Sequence, residues 1–260
     1  MLLSQIENFY NCFNLKINKY LLLKNVLNDQ DVNTIGKSIY DGFKKSEKKG
    51  LNNKSRIDNI GQFRKKFVMS KNLKKLGFKE NYFLDIILNS KLGDLLKKTF
   101  SEKFIILNKN LNLPRFVSQK YKDSLLPYHQ DGVIGEDFIL RTWIPLFPSN
   151  FGVESPTIEI VKYRDKNLIK RSDASTSRYY SWLELDENEI EKIIKKKKTY
   201  KVICNQGDVF LFYGFIPHRS FVDNSHVKER VSIEPSFISF SNKNIDYLEN
   251  SKTPYTVFGK

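Results

Sequence analysis

The strongest constraint on the fold is a change of texture near residue 103. Before it, apolar residues recur at helical spacing. After it, they come in short runs rich in aromatic and β-branched residues, cut by proline and glycine. The stretch "ENYFLDIILNSKLGDLLKKTF" at 80–100 places Phe83, Ile86, Ile87, Leu92, Leu95 and Leu96 near helical spacing and ends in lysines, which predicts a helix. The lysine-rich segment 30–75 reads as helices and loops, with Gly50, Asn52 and Asn53 marking a loop. Downstream, "KFIILNKNL", "RFVSQKY", "FILRTWIPLF", "SPTIEIVKY", "YKVICN" and "ERVSIEPSFISF" read as strands. The expected class is mainly β with flanking α. The expected organisation is one domain over 1–260, with residues 1–100 mainly helical and 101–245 the β core. Two domains with a boundary near 100 are the alternative.

Composition narrows the setting. With 40% hydrophobic and 13% aromatic residues, the chain can bury a sizeable core. Cys12 and Cys204 are far apart and in no ligand spacing, which disfavours a disulfide scaffold or a zinc ribbon and points to a reducing, cytoplasmic setting. The N-terminus lacks a basic start followed by an uninterrupted apolar core, so no signal peptide is read, and no stretch has the length of a membrane span. The net charge of +15 admits an anionic substrate, nucleic acid or acidic lipid, but Lys, Asn and Ile are abundant together and coding bias explains it more simply. The run "KKKK" at 195–198 reads as a solvated helix end.

The residues that carry chemistry sit in the β half. "LPYHQDGVIGED" holds His129 and Asp131, and a histidine two residues from an aspartate is by itself a weak signal. Its context is fuller. Gly207-Asp208 opens an apolar strand that delivers His218, and Arg230 and Ser232 follow. In an extended chain, residues i and i+2 face the same way. His129 then shares a face with Asp131, His218 with Ser220, and Arg230 with Ser232, while Val231 and Ile233 face away. A buried unpaired guanidinium is costly, so Arg230 makes sense inside a barrel if an anion arrives to meet it. Two histidines and a carboxylate form the facial triad of non-haem iron(II) oxygenases, which leaves open positions for a 2-oxo acid and dioxygen.

At these residues the sequence resembles the phytanoyl-CoA dioxygenase branch of the iron(II)/2-oxoglutarate-dependent oxygenases. The matching pieces are "PYHQDG", "RTWIPL", "GVESPTIEIV", "GDVFLFYGFIPHRS" and "ERVSIEPSF", in that order, over roughly residues 80 to 240. The resemblance implies a double-stranded β-helix (jelly-roll, cupin-like) core with N-terminal helices packed outside. It implies Fe(II) held by His129, Asp131 and His218. It implies 2-oxoglutarate held by Arg230 and Ser232, with Ser220 and Trp143 as further contacts. The implied reaction consumes O2 and 2-oxoglutarate, releases succinate and CO2, and hydroxylates an aliphatic C–H bond of a small-molecule metabolite. Asp131 favours hydroxylation over halogenation, because the related halogenases carry a small residue there. Residues 1–79 match nothing specific.

Other readings stand beside this one. Repair of alkylated nucleic acid would place a second arginine six residues after Arg230, where this chain has Ser236. A prolyl-hydroxylase-like enzyme would anchor with lysine. A cupin-type metalloenzyme without 2-oxoglutarate, or a non-catalytic jelly-roll binding protein, would not need the Arg230 and Ser232 pair. Arg230 can also pair with Glu229 or Glu234, and Trp143 can be core rather than pocket. His226, in the polar stretch "DNSHVKE", is expected to be exposed, and Cys204 and Trp182 to be packing residues. Gln119, Lys120 and Arg141 lie on neighbouring strands whose facing the sequence leaves open.

Overall fold

The structure is a computed structural model that describes residues 2–48, 82–107, 114–119, 125–134, 137–172 and 184–259. In chain order, α1 (Leu2–Asn18) leads to β1 (Tyr20–Leu23) and α2 (Asp29–Lys48). Next come α3 (Tyr82–Leu88), α4 (Lys91–Thr99), β2 (Phe104–Leu107) and β3 (Arg115–Val117). β4 (Val133–Ile134) and β5 (Asp137–Phe138) form a small hairpin before β6 (Leu140–Phe147) and β7 (Thr157–Val161). The chain continues through α5 (Glu187–Lys196), β8 (Thr199–Lys201), β9 (Val209–Tyr213) and β10 (His218–Phe221). It closes with β11 (Arg230–Ile233), β12 (Ser236–Ser239), α6 (Asn242–Asn250) and β13 (Tyr255–Phe258).

Eight of these strands form one antiparallel sheet, ordered β1-β9-β6-β12-β2-β13, with β11 joining β6 to β3. A second sheet, β10-β7-β8, faces it. Strand period two explains how the layers hold together. On β6, Leu140, Ile144 and Leu146 face outward, and Val209 and Leu211 of β9 and Val231 and Ile233 of β11 do the same. They meet Val32, Ile35 and Ile39 of α2, spaced for one helix face, and Leu92, Leu95 and Leu96 of α4. The alternate residues Trp143, Phe210 and Phe212 face inward and pack with Ile158 and Ile160 of the second sheet. The helices therefore cover one side of the main sheet, and its other side lines the space between the sheets.

Several local expectations change. The stretch 80–100 is two helices, because the Ser90 side chain caps α4 by accepting from the Leu92 N–H at 3.2 Å. The apolar spacing runs across this break and hides it. The segment 229–240 is two strands, parted at Glu234-Pro235. Pro235 has no N–H for the ladder, and its carbonyl instead accepts from the Thr142 N–H at 2.9 Å. Tyr20–Leu23, within the stretch read as helical, pairs with β9, and β13 adds an edge strand beyond residue 245. In "YKVICN" the strand ends at Lys201, and Cys204 keeps only a bridge to Phe151. The lysine run does end a helix, with Lys195 and Lys196 in the last turn of α5. Trp182 and Lys120 lie outside the described residues. Among the described residues, no helix is long and apolar enough to cross a membrane.

Candidate metal centre

His218 begins β10, and its side chain and that of Ser220 turn inward while Arg219 and Phe221 stay half-exposed. His129 and Asp131 lie on irregular chain. His129 bridges Glu184 on one side and joins β10 by a second bridge on the other, with His129 N donating to His218 O and His218 N to His129 O, each at 3.0 Å. That bridge sets the two imidazoles side by side, with ring centroids 4.1 Å apart. Asp131 is two residues on, and one ligand-type atom from each of His129, Asp131 and His218 falls within 4.8 Å of the others. The intervening Gln130 points elsewhere. Its amide donates to Phe215 O and Asn167 O, and its carbonyl accepts from the Ile169 N–H, so the loop after β7 is tied to the triplet.

The protonation of this cluster follows from its contacts. His129 Nδ1 lies 2.8 Å from Pro127 O, and His218 Nδ1 lies 2.9 Å from Ile216 O. A carbonyl can only accept, so Nδ1 carries the proton in both rings and each Nε2 keeps a lone pair. Burial, and then the neighbouring His218, push His129 down to about 3. Burial lowers His218 as well. Both rings are therefore neutral near neutral pH. Burial alone would raise Asp131, but the Arg141 guanidinium and the two histidines outweigh it and hold the carboxyl down at about 2. Two neutral imidazoles and one ionised carboxylate is the donor set that a divalent transition metal takes. Asp131 Oδ2 is buried and, among the described residues, accepts no hydrogen bond, so an acceptor is left open for such an ion.

Deeper in the barrel, β11 delivers Arg230 and Ser232 inward, as the strand period predicts. Arg230 is completely buried and gives one hydrogen bond, Nη1 to Thr157 O at 2.7 Å. Among the described residues its Nε and Nη2 have no hydrogen-bond partner, and neither do the Ser232 hydroxyl and the Trp143 indole N–H. It makes no ion pair with Glu229 or Glu234. Instead, Glu229 binds Tyr40 and Lys44, and Glu234 binds Arg115 at 2.9 Å and Arg141 at 3.4 Å. The Arg230 guanidinium stacks 5.3 Å from the Trp143 ring. Burial pushes Arg230 down to about 9, so it carries its charge at neutral pH. Trp143 is buried in the core and also lines a pocket with His129, His218, Ser220, Phe212, Ile158, Arg115 and Glu234.

Some expected residues lie apart from the cluster. Gln119 hydrogen-bonds the Asp223 carbonyl and lines a different pocket. His226 is buried, contrary to the expected exposure, because the turn at 223–226 folds its ring inward, where Nδ1 accepts from the Asp223 N–H at 3.2 Å. Cys204 is buried as a packing residue, and burial pushes its thiol up to about 12. Arg141 enters the site directly, with Nε 2.7 Å from Asp131 Oδ2. The sequence alone left its facing open; once Trp143 is known to face inward, the strand period places Arg141, two residues earlier on β6, on the same face. Arg115 has no signal in the sequence, and Glu234, expected as an alternative partner of Arg230, pairs with Arg115 and Arg141 instead. Arg115 sits opposite Ser232 in the β3–β11 register, which no local pattern encodes.

No family model matches the chain, and no curated protein matches it. Solved structures do. EctD from S. alaskensis, solved with 2-oxoglutarate and 5-hydroxyectoine, is 11% identical, aligns over 90% of this chain and 76% of its own, and gives a TM-score of 0.56. The fold is a double-stranded β-helix. SnoK, a non-heme alpha-ketoglutarate-dependent carbocyclase from nogalamycin biosynthesis, is 11% identical with a TM-score of 0.52, covering 88% of this chain and 83% of its own. AviO1 from Streptomyces viridochromogenes Tue57 is 14% identical with the same TM-score of 0.52, over 89% and 95% of the two chains. At this level of identity the likeness concerns the fold, and the chemistry is argued from the site.

Proposed function

We propose that this protein is an Fe(II)- and 2-oxoglutarate-dependent oxygenase of the phytanoyl-CoA dioxygenase-like branch, built as one domain. Its reaction in this reading is hydroxylation of an aliphatic C–H bond of a small-molecule substrate. The carrying observation is the pairing of two buried sites of opposite need. His129, Asp131 and His218 bring one metal-ligand-type atom each into a single cluster, and among the described residues Arg230 presents N–H groups without an acceptor. The fold neighbours include proteins described as alpha-ketoglutarate-dependent or solved with 2-oxoglutarate, which supports the same reading.

In this reading His129 and His218 hold the metal through Nε2 and Asp131 through a carboxylate oxygen. When bound, the iron supplies dioxygen activation coupled to oxidative decarboxylation of the 2-oxo acid to succinate and CO2. The chain's own part is orientation and shielding. Arg230 receives the distal carboxylate of 2-oxoglutarate as a charge-assisted fork, and the Ser232 hydroxyl adds a hydrogen bond. Ser220, beside His218 on the pocket wall, is a further co-substrate contact. Trp143 stacks on Arg230 and fixes its plane. Phe212 packs edge-on against His218, 4.6 Å between ring centroids, and keeps water from that ligand. Arg230 also favours this reading over a cupin that does not use 2-oxoglutarate, since such a site would leave the guanidinium unmatched. The test is anaerobic addition of Fe(II) and 2-oxoglutarate, which should give a visible metal-to-ligand charge-transfer band. No band and no succinate release from the wild-type protein would sink the proposal.

A further inference from the structure

Asp131 lies outside any strand and is followed by Gly132 at φ +87°, so regular structure does not fix its side chain. Among the described residues its Oδ2 accepts no hydrogen bond. Arg141 Nε, 2.7 Å from Oδ2, is its close charged contact, together with His218 Nε2 at 3.4 Å. The Arg141 N–H is not aimed at Oδ2, so charge is balanced while the oxygen's lone pair stays available. Arg141 is itself held firmly. Nη1 donates to Ser236 Oγ and to Glu234 O, and Nη2 pairs with Glu234 Oε2 at 3.4 Å. Glu234 is in turn paired with Arg115 Nε at 2.9 Å. Charges alternate along this floor as Asp131, Arg141, Glu234, Arg115.

We infer that Arg141 is a positioning residue for the metal centre, aiming the Asp131 carboxylate at the two histidines before any ion arrives. The inference rests on the metal reading given above. Two features separate it from an ordinary structural ion pair. First, the planar guanidinium reaches Asp131, Glu234 and Ser236 from three separate nitrogens in a fixed fork, which the point charge of a lysine ammonium does not reproduce. Second, Glu234 gives Arg141 another partner. When a cation takes over the charge of Asp131, Arg141 is not left as an unpaired buried cation. The arrangement therefore tolerates both the metal-free and the metal-bound state. Ser236 stands where a nucleic-acid repair enzyme of the superfamily would carry a second arginine, and here it holds Arg141 instead.

The test uses the full chain without 2-oxoglutarate. Metal-free wild type, Arg141→Met, Arg141→Lys and Glu234→Gln are titrated with Co(II) under anaerobic conditions. Affinity is read by calorimetry, coordination by the visible d–d bands, and folding by melting temperature. Arg141→Met should weaken Co(II) binding about 10- to 100-fold, the range typical of groups that orient a metal ligand, and should alter the d–d bands. Arg141→Lys should fall between it and wild type, and Glu234→Gln should weaken binding about threefold or more. If Arg141→Met does not fold, Arg141→Lys and Glu234→Gln decide the matter. Folded variants that bind Co(II) within threefold of wild type with unchanged bands overturn the inference. A fall in melting temperature alone, with affinity and bands unchanged, also overturns it by leaving only a structural role. Failure of the wild type itself to bind Co(II) is a separate outcome that removes the metal reading and this inference with it.

Discussion

His129 and His218 are paired through their backbones, each N–H donating to the other's carbonyl at 3.0 Å. The two imidazoles are thus placed by main-chain bonds that need no imidazole. A histidine deletion should remove a ligand and leave the scaffold standing. His218→Ala and His129→Ala are each expected to abolish the Fe(II)/2-oxoglutarate charge-transfer band. The metal-free variants should melt within about 4 °C of the parent, corresponding to roughly 1–2 kcal/mol in a domain of this size. Far-ultraviolet circular dichroism checks the fold. Loss of the band together with collapse of the fold would show that the rings, not the backbone pair, hold this region.

Arg230 gives an opposite signature. A buried guanidinium with two nitrogens, Nε and Nη2, unpartnered among the described residues destabilises the empty protein, and an apolar side chain of similar length removes that cost. Arg230→Met is expected to be at least as stable as wild type without ligand, by about 1 kcal/mol or more. It should bind 2-oxoglutarate on the order of 100-fold more weakly, about 3 kcal/mol. In thermal melts with Fe(II), added 2-oxoglutarate should raise the wild-type midpoint and leave the variant unmoved. An Arg230→Met protein less stable than wild type in the absence of ligand would mean that the Thr157 hydrogen bond and the Trp143 stack outweigh the unpaired charge.

How much of this was legible follows the range of the interactions involved. Period two in "RVSI" correctly turned Arg230 and Ser232 inward and Val231 and Ile233 toward the helices. It required only that this short stretch be a strand. Breaks set by one residue were harder. The Ser90 cap lies inside an unbroken helical spacing, and Pro235 parts two strands whose compositions are alike. Contacts that depend on register were out of reach. Nothing near Arg115 in the chain says that it will face Ser232 and pair with Glu234. The burial of His226 depends on a turn whose polar residues suggested solvent, because the polar atoms bond to each other and the ring is tucked beneath them.

That buried ring joins a wider acid sensitivity. The chain has three histidines, and all three are buried. Burial lowers His129, His218 and His226 from the ordinary value of 6.5, with His129 reaching about 3. The charges facing His226 are Asp223, which opposes the lowering, and Lys201 and Arg230, which add to it. His226 Nδ1 already accepts from the Asp223 N–H, so protonation would set one donor against another. Each folded-state value lies below the unfolded one, so the unfolded chain binds more protons as pH falls. Stability is fully present above 6.5 and is lost on descent from 6.5 toward 3. Denaturant midpoints of the metal-free protein should fall from pH 7 to 5, with net proton uptake on unfolding. His226→Gln, whose amide oxygen can keep the Asp223 bond without titrating, should lower that uptake. An unchanged slope would mean that His226 is protonated equally in both states.

The helical layer supports the site through one close backbone contact. Gly36 of α2 lies directly against the end of β6. A Cβ built there would come within 2.7 Å of the Leu146 carbonyl carbon and 2.8 Å of Phe147 Cβ. The Leu146 partner is backbone, so no side-chain rotation can relieve the contact. Helix propensity favours Gly36→Ala by about 1 kcal/mol. Overpacking opposes it by roughly 1–3 kcal/mol, and because α2 would have to lift from β6, the upper part of that range applies. The same strand carries Arg141 and Trp143 on its other face. Gly36→Ala should therefore lower stability by about 1–2 kcal/mol in denaturant unfolding and weaken Co(II) binding in the folded protein. Gly132→Ala provides the contrast. Its Cβ would meet only the Arg171 guanidinium, at 3.7 Å, but its φ of +87° strains any side chain. Its stability cost should come from the backbone, with nothing pressing on β6. A Gly36→Ala protein as stable as wild type would mean that α2 is free to move away from the strand.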